Sequence, residues 1–342
     1  MVNGPLRLRL DGEALAGNWR ALARLSGAAA CGAAVKADGY GLGAGEVVAQ
    51  LAAAGCRQFY VATWAEAAAL PAGPSVSVLH GVREEDMAAA LGGAARPVLN
   101  TAAQVGRWKA AGGGACDVMV DTGMNRLGVS PEEIGAGLLD GLRIDTLMSH
   151  LARADEDSAM NGRQRDLFAE VAGRVGAERR SLANSAGVAL GPDYHFDLTR
   201  PGLALYGGVA RPELAGLVRP VARPEAQVLQ RRRVGAGETV GYNATWVAPA
   251  ETEVAILNIG YADGYFRGFS DRGQGWAGDR RLPVIGRVSM DLTAVDVSAA
   301  PDVGEEDWVA LDLDLPGAAA ASGMSQYELL TGLGRRYERI WS

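Results

Sequence analysis

From about residue 28 to 205 the chain repeats one unit: a short apolar run, a polar or glycine turn, then a stretch with helical spacing. The runs are Ala33-Ala-Val35, Gln58-Phe-Tyr-Val-Ala62, Val76-Ser-Val-Leu79, Pro97-Val-Leu99, Asp117-Val-Met-Val-Asp121, Asp145-Thr-Leu-Met148, Ser181-Leu-Ala183 and Phe196-Asp-Leu198. They are mostly continuous rather than alternating, as parallel strands covered on both faces are. The segments between them carry helix signals. Ser130-Pro-Glu-Glu133 reads as an N-cap serine, a first-turn proline and a capping-box glutamate. Thr101-Ala-Ala-Gln104 repeats that logic, Gly112-Gly-Gly114 ends the helix it starts, and 159–175 has apolar residues at helical spacing. Eight strand–helix units predict an α/β fold of the TIM-like (β/α)8 type, which takes roughly 200 residues or more; an open doubly wound sheet, the alternative, usually has fewer strands.

After about residue 222 the texture changes to strand-like runs such as Glu253-Val-Ala-Ile-Leu257, Leu282-Pro-Val-Ile285, Thr293-Ala-Val-Asp-Val297 and Trp308-Val-Ala-Leu311, broken by Gly, Pro and Asp turns. The expected division is a barrel over residues 1–222 and a C-terminal all-β domain over 223–342. Leu6-Arg-Leu-Arg-Leu10 alternates cleanly, which makes residues 1–10 a candidate extra strand of the β domain. With 342 residues, 48% of them hydrophobic, the chain has material for two cores. A net charge of −7 argues against a nucleic-acid partner. No apolar stretch approaches the ~18 residues of a membrane helix, and the first residues do not read as a signal peptide. Three widely spaced cysteines give no disulfide framework and fit a reducing cytoplasm, and the three histidines are not set with them at zinc-site spacing, so no metal is expected.

The unusual polar residues fall where strands end. Lys36 follows the first strand; Asp121, Asn125 and Arg126 follow the fifth; His150 ends the sixth; Asn184 and Ser185 end the seventh; Arg200, Pro201 and Gly202 follow the eighth. Barrel enzymes assemble their sites at these C-terminal ends, and commonly bind phosphate after strands seven and eight. Lysine occurs only twice in the chain, as Lys36 and Lys109. A lysine kept at a barrel mouth beside a phosphate site suggests covalent chemistry with a carbonyl, against the plainer reading of a surface or salt-bridging residue.

Val35-Lys-Ala-Asp-Gly-Tyr-Gly41 resembles the pyridoxal-lysine motif of the alanine racemases, and Val120-Asp-Thr-Gly-Met-Asn-Arg-Leu-Gly128 resembles their second signature. Asn184-Ser-Ala-Gly187, Arg200-Pro-Gly-Leu-Ala-Leu-Tyr-Gly207, Gly260-Tyr-Ala-Asp-Gly264, Gly286-Arg-Val-Ser-Met-Asp291 and Gln326-Tyr-Glu328 follow in the family's order over essentially the whole chain. The resemblance implies pyridoxal 5′-phosphate as cofactor and interconversion of L- and D-alanine by two bases acting on the cofactor aldimine. Lys36 would carry the Schiff base and serve one face; Tyr261, brought by the partner subunit of a homodimer, would serve the other. Tyr40, Ser185, Gly202, Leu203 and Tyr327 would hold the phosphate, with Asn184 beside them. Arg200 would bond the pyridine nitrogen, donating without giving up its proton, and His150 would link Arg200 to Tyr261. Arg126 would contact the phenolic oxygen and the substrate carboxylate, aided by Met290 of the partner subunit, with Asp291 near the entrance. D-Alanine supply for a peptidoglycan precursor and D-alanine catabolism would use the same reaction.

Three positions depart from the pattern. Met119 stands where many family members carry a carbamylated lysine, so the negative charge that braces Arg126 is missing; chloride or Asn125 is expected to take over. Leu42 replaces a common histidine and Asn125 a common glycine. The rival functions are a serine or broad-specificity racemase, a non-catalytic pyridoxal-phosphate carrier, which would be a single barrel, and a fold-related decarboxylase, which would place a carboxylate at the pyridine nitrogen.

Overall fold

The computed structural model describes residues 4–342. It divides into two compact units. One is Leu15–Arg219; the other joins Pro220–Ser342 to the described residues up to Ala14. The candidate strand at residues 1–10 is described from residue 4, and its first three residues lie outside the described part.

In chain order the strands of the first part are β1 (Leu6–Leu10), β2 (Ala30–Cys31), β3 (Ala33–Ala34), β4 (Gln58–Val61), β5 (Ser75–Val78), β6 (Arg96–Leu99), β7 (Cys116–Met119), β8 (Ile144–Met148), β9 (Ala177–Ser181) and β10 (Leu198–Thr199). Strands β3 to β9 form one parallel sheet in sequence order. The β10 segment joins its two edges. Asp197 and Arg200 donate backbone N–H to Arg180 and Ala183 O at 3.0 and 2.8 Å, while Ala30, Gly32 and Ala34 donate to Asp197, Thr199 and Pro201 O at 2.8–3.0 Å. With β2 and β3 as one broken stave, eight staves close a (β/α)8 barrel. The expected caps form. Ser130 and Glu133 make a reciprocal capping box on the helix Pro131–Gly135, and Thr101 caps Ala102–Ala110, although Gln104 reaches back to Asn100 N–H rather than to Thr101.

One strand differs from expectation. The apolar run Ser181–Ala183 follows the seventh stave, whose body is the polar Ala177–Ser181. The reason lies inside the barrel. Near the N-terminal ends of the strands, Arg179 pairs with Asp145, and Arg96 reaches Asp117 (3.4 Å), Asp145 (3.5 Å) and Ser75 Oγ (2.9 Å). Asp117 is fully buried and accepts from Ser77 Oγ at 2.5 Å and Thr146 N–H at 3.1 Å. Mutually satisfied charges allow an arginine-rich strand to face a barrel interior.

The second unit is a β-sheet built on the 13-residue β11 (Ala222–Val234). The further strands used here are β12 (Thr239–Val240), β13 (Trp246–Val247), β14 (Thr252–Leu257), β15 (Gln274–Ala277), β16 (Arg280–Ile285), β17 (Thr293–Asp296), β18 (Trp308–Leu311) and β19 (Glu338–Trp341). The sheet order is β14-β17-β16-β15-β18-β11-β1-β19, and β11 also pairs with β14, which closes the first six into a ring. The alternating segment Leu6–Leu10 thus lies beside β11, with all three leucines buried. Two short helices that periodicity did not announce, Leu315–Ser322 and Gln326–Thr331, follow β18; the first is nearly all Leu, Pro, Gly and Ala and has no polar face to reveal it. Among the described residues no helix is long and apolar enough to cross a membrane.

Candidate active site

Lys36 leaves β3 into a left-handed turn. Ala37, Asp38, Gly39 and Tyr40 have φ of 54°, 54°, 63° and 56°, and Gly41 follows at 87°. Each non-glycine residue there costs on the order of 1–2 kcal/mol, so the turn persists only if its surroundings hold it. They do: Gly39 N–H bonds Val35 O (2.9 Å), Ala44 N–H bonds Asp38 Oδ1 (2.8 Å), and Ala37 N–H bonds Glu66 Oε1 (2.8 Å). Glu66 also accepts from Ala62 N–H at 2.6 Å. Asp38 is thereby a turn-closing residue. The role of Glu66 was not foreseen; its signal in the sequence is the Thr63-x-x-Glu66 capping box.

The turn carries the Tyr40 ring onto Tyr206, with centroids 4.6 Å apart and planes at 26°. Tyr206 is fully buried and donates to Ala34 O at 3.0 Å, so it anchors Tyr40. Facing the Tyr40 hydroxyl is Gly202: a Cβ there would lie 3.0 Å from Tyr40 Cζ, 3.4 Å from Ala34 Cβ, and closer still to the hydroxyl oxygen. Ser185 Oγ accepts from Gly202 N–H (2.9 Å) and Ala204 N–H (3.1 Å), while Asn184 caps the next helix by accepting from Gly187 N–H (2.8 Å). Leu203 is buried between them in sequence. The Tyr40 and Ser185 hydroxyls and a position that tolerates no side chain thus make a small polar cradle by the turn that follows the lysine, which fits a phosphate-bearing aldehyde.

Arg200 is buried. Its guanidinium donates to Ser181 Oγ and, at 2.6 Å, to Ser149 O, and it lies 5.8 Å from the Tyr60 ring centroid. These bonds do not go to His150, so no direct Arg200–His150 link is formed. Burial, then the charges of Arg200, Arg126 and Lys36, push His150 down to about 3. A neutral imidazole adds no positive field of its own; the field comes from the cations around it. Its carbonyl is held by Gln164 Nε2 at 3.0 Å. Burial lowers the Lys36 ammonium below the ordinary lysine value, with Arg126 adding to the fall and Glu66 opposing it. An amine so depressed reaches its nucleophilic form more readily.

Arg126 is exposed, and among the described residues it has no carboxylate partner. Met119, the last residue of β7, is buried. Asn125 does not bond Arg126. It occupies the left-handed region at φ 54°, where asparagine substitutes for glycine, and its N–H (3.1 Å) and that of Gly123 (2.8 Å) bond Asp121 Oδ1. Asp121 therefore shapes the loop that presents Arg126.

In the second unit Tyr261 opens a one-turn helix, partly exposed, with the Arg267 guanidinium 5.0 Å from its ring centroid. Tyr261 N–H bonds Ser289 O and Ala262 N–H bonds Met290 O, both at 3.0 Å, so Tyr261, Met290 and Asp291 sit on joined turns. Met290 is 54% exposed, and Tyr327, in the helix Gln326–Thr331, is 47% exposed. Tyr242 and Val247 are exposed as well.

The family models of the alanine racemase N-terminal and C-terminal domains match residues 10–210 and 221–341. An alanine racemase of Acidiphilium cryptum is 43% identical over 97% of this chain and 98% of its own length. A biosynthetic alanine racemase of Agrobacterium fabrum is 41% identical over 98% and 93%. Among solved structures, the alanine racemase of Bartonella henselae with covalently bound pyridoxal phosphate superposes with a TM-score of 0.90 at 32% identity, and the biosynthetic alanine racemase of Pseudomonas aeruginosa with 0.90 at 35%, each covering 99% of both chains.

Proposed function

The chain belongs to the alanine racemase family, and from this we infer that it interconverts L- and D-alanine with pyridoxal 5′-phosphate as its cofactor. The observation that carries the reading is the placement of Lys36: a lysine at the end of a barrel strand, beside the Tyr40–Gly202–Ser185 cradle, with its pKa lowered by burial and by Arg126. When bound, pyridoxal phosphate supplies an electron sink for the charge left at Cα after proton loss. The residues of this chain do the rest. Ser185, Gly202, Leu203 and Tyr40, with Asn184 behind them and Tyr327, hold the phosphate. Arg200 points a permanent donor at the pyridine nitrogen. Arg126, with no carboxylate of its own, takes the substrate carboxylate or a small anion such as chloride.

Inversion at Cα requires a proton to leave one face and arrive on the other. The Lys36 amine serves one face. The phenol oxygen of Tyr261 of the partner subunit serves the other, which makes the working form a homodimer with shared sites. The outward-facing Met290, an apolar side chain 54% exposed, supports that reading. Met290 and Asp291 would line the substrate entrance of the partner's site. The division at about residue 222, with the β unit completing the partner's site, belongs to the same proposal, as does a cytoplasmic location.

The test is α-proton exchange in D2O followed by NMR, with L-alanine, D-alanine and L-serine. Exchange with inversion on alanine, lost in Lys36→Ala, is expected. Equal rates on serine would widen the substrate class. A cofactor absorbance band without exchange on any of the three would overturn catalysis in favour of cofactor carriage.

A further inference from the structure

Asp263 follows Tyr261 by two residues, and its side chain is buried to 1% exposure. One oxygen accepts the Gly260 N–H at 3.0 Å and so closes the turn on which Tyr261 stands. Such a carboxylate needs a cation, and it has one from far along the chain. Arg336 Nε donates to Asp263 Oδ1 at 2.6 Å and Nη2 to Oδ2 at 2.8 Å, a bidentate fork. The third nitrogen, Nη1, donates to Asp291 Oδ1 at 2.8 Å. One guanidinium therefore binds the turn bearing Tyr261 and the turn bearing Met290 and Asp291.

The backbone around it leaves no slack. A Cβ on Gly260 would overlap the Ser289 and Met290 carbonyls, and one on Gly264 would lie 2.8 Å from Gly332 C and 3.0 Å from Leu333 Cα. Gly334 N–H bonds Asp263 O at 3.2 Å. Three separate segments, 260–264, 289–291 and 332–336, thus meet at van der Waals distance. Arg336 is the described side chain whose hydrogen bonds join carboxylates on two of them.

We propose that Arg336 is a positioning residue: it fixes the Tyr261 phenol relative to Met290 and Asp291, so that base and entrance are presented as one rigid surface. The inference rests on Tyr261 being the second base. A displacement of about 1 Å at a reacting group costs on the order of a hundredfold. Loss of the fork is therefore expected to lower turnover by roughly ten- to a hundredfold.

Activity alone cannot separate positioning from general damage. L- and D-alanine have equal free energies, so kcat/KM must fall equally in both directions. The primary isotope effect does separate them, because each enantiomer loses its proton to a different base. The experiment measures that effect with α-deuterated L- and D-alanine on cofactor-loaded wild type, Arg336→Met, Arg336→Lys and Tyr261→Phe. The last variant identifies which enantiomer depends on Tyr261. For that enantiomer alone the isotope effect should rise in Arg336→Met, with cofactor absorbance unchanged. Arg336→Lys, which keeps a charge but not the fork, should fall between; it also carries the test if the methionine variant does not fold. An effect raised equally for both enantiomers, or for neither, overturns the inference while leaving Tyr261 as base. Tyr261→Phe retaining full exchange with both enantiomers would instead refute the base assignment, and the inference with it.

Discussion

Gly202→Ala adds one methyl group at the point where the cradle is tightest. Gly202 has φ −129°, outside the left-handed region, so the loss comes from the new Cβ itself. That atom would overlap the Tyr40 hydroxyl and lie 3.0 Å from Tyr40 Cζ, where ordinary contact begins near 3.4 Å. The hydroxyl must withdraw by about 1 Å to restore contact. It has little freedom to do so. Its ring is stacked at 4.6 Å on Tyr206, whose own hydroxyl is tied to Ala34 O, and its backbone is held in the left-handed turn. Overpacking of this kind costs about 1–3 kcal/mol. Withdrawal also removes one phosphate donor. Pyridoxal-phosphate affinity should therefore fall roughly ten- to a hundredfold, at about 1.4 kcal/mol per decade. The assay is titration of cofactor-free protein with pyridoxal phosphate, followed by absorbance, with melting temperature measured on the same samples. Gly45→Ala is the control, because a Cβ there meets nothing within 4 Å. Affinity in Gly202→Ala within about threefold of the control would refute the cradle, since a shift of that size is only about 0.7 kcal/mol.

His150 predicts an acid-side loss of stability. Its folded value is pushed down to about 3, below the ordinary 6.5, so the unfolded chain takes up a proton that the folded chain refuses as pH falls through 6.5. By linkage this removes about 2 kcal/mol between neutral pH and about pH 5; cofactor-free His150→Gln should lose that much less stability over the same range in urea titrations, and parallel curves would count against it. Glu66→Ala removes the acceptor of the Ala37 N–H and the one carboxylate that raises the Lys36 pKa. Its cofactor capture should weaken while its pH profile moves to lower pH, and a profile moving upward would contradict the assigned sign.

How much of this was legible in the sequence depends on whether a signal is local. Eight staves were readable because strands buried on both faces are apolar runs. The seventh was displaced because Arg179 is satisfied by Asp145, 34 residues away, and no window of sequence contains that pairing. The alternating Leu6–Leu10 announced a half-buried strand, but its neighbours, β11 and β19, come from the far end of the chain. At the site, each strand end carrying a rare polar residue could be ranked from order alone. The left-handed turn after Lys36 was not read from the sequence, and Glu66, which helps to hold it, lies 29 residues from Ala37. Arg336 stayed hidden for the same reason. It is one of many arginines, and its importance comes from carboxylates 45 and 73 residues away.

The distribution of charge explains why the barrel mouth should want an anion. At the closed end Arg96 and Arg179 share Asp117 and Asp145, so two guanidiniums meet two carboxylates. Arg200, more buried than either of those arginines, is bonded only to neutral oxygens, of Ser181 and Ser149. Its positive charge is left uncompensated by any direct partner. Lys36 and Arg126 lie close enough to add theirs, as the fall of the His150 pKa records. A buried cation without a counter-ion is costly, and the protein relieves the cost in two ways visible here: His150 stays neutral, and the Lys36 ammonium is weakened. The remaining relief is a ligand carrying negative charge. A phosphate at the Ser185–Gly202 cradle and a phenolic oxygen near Arg126 would supply it. The same surplus that is costly at the mouth would thus become binding energy for the cofactor and attraction for the carboxylate of an amino acid.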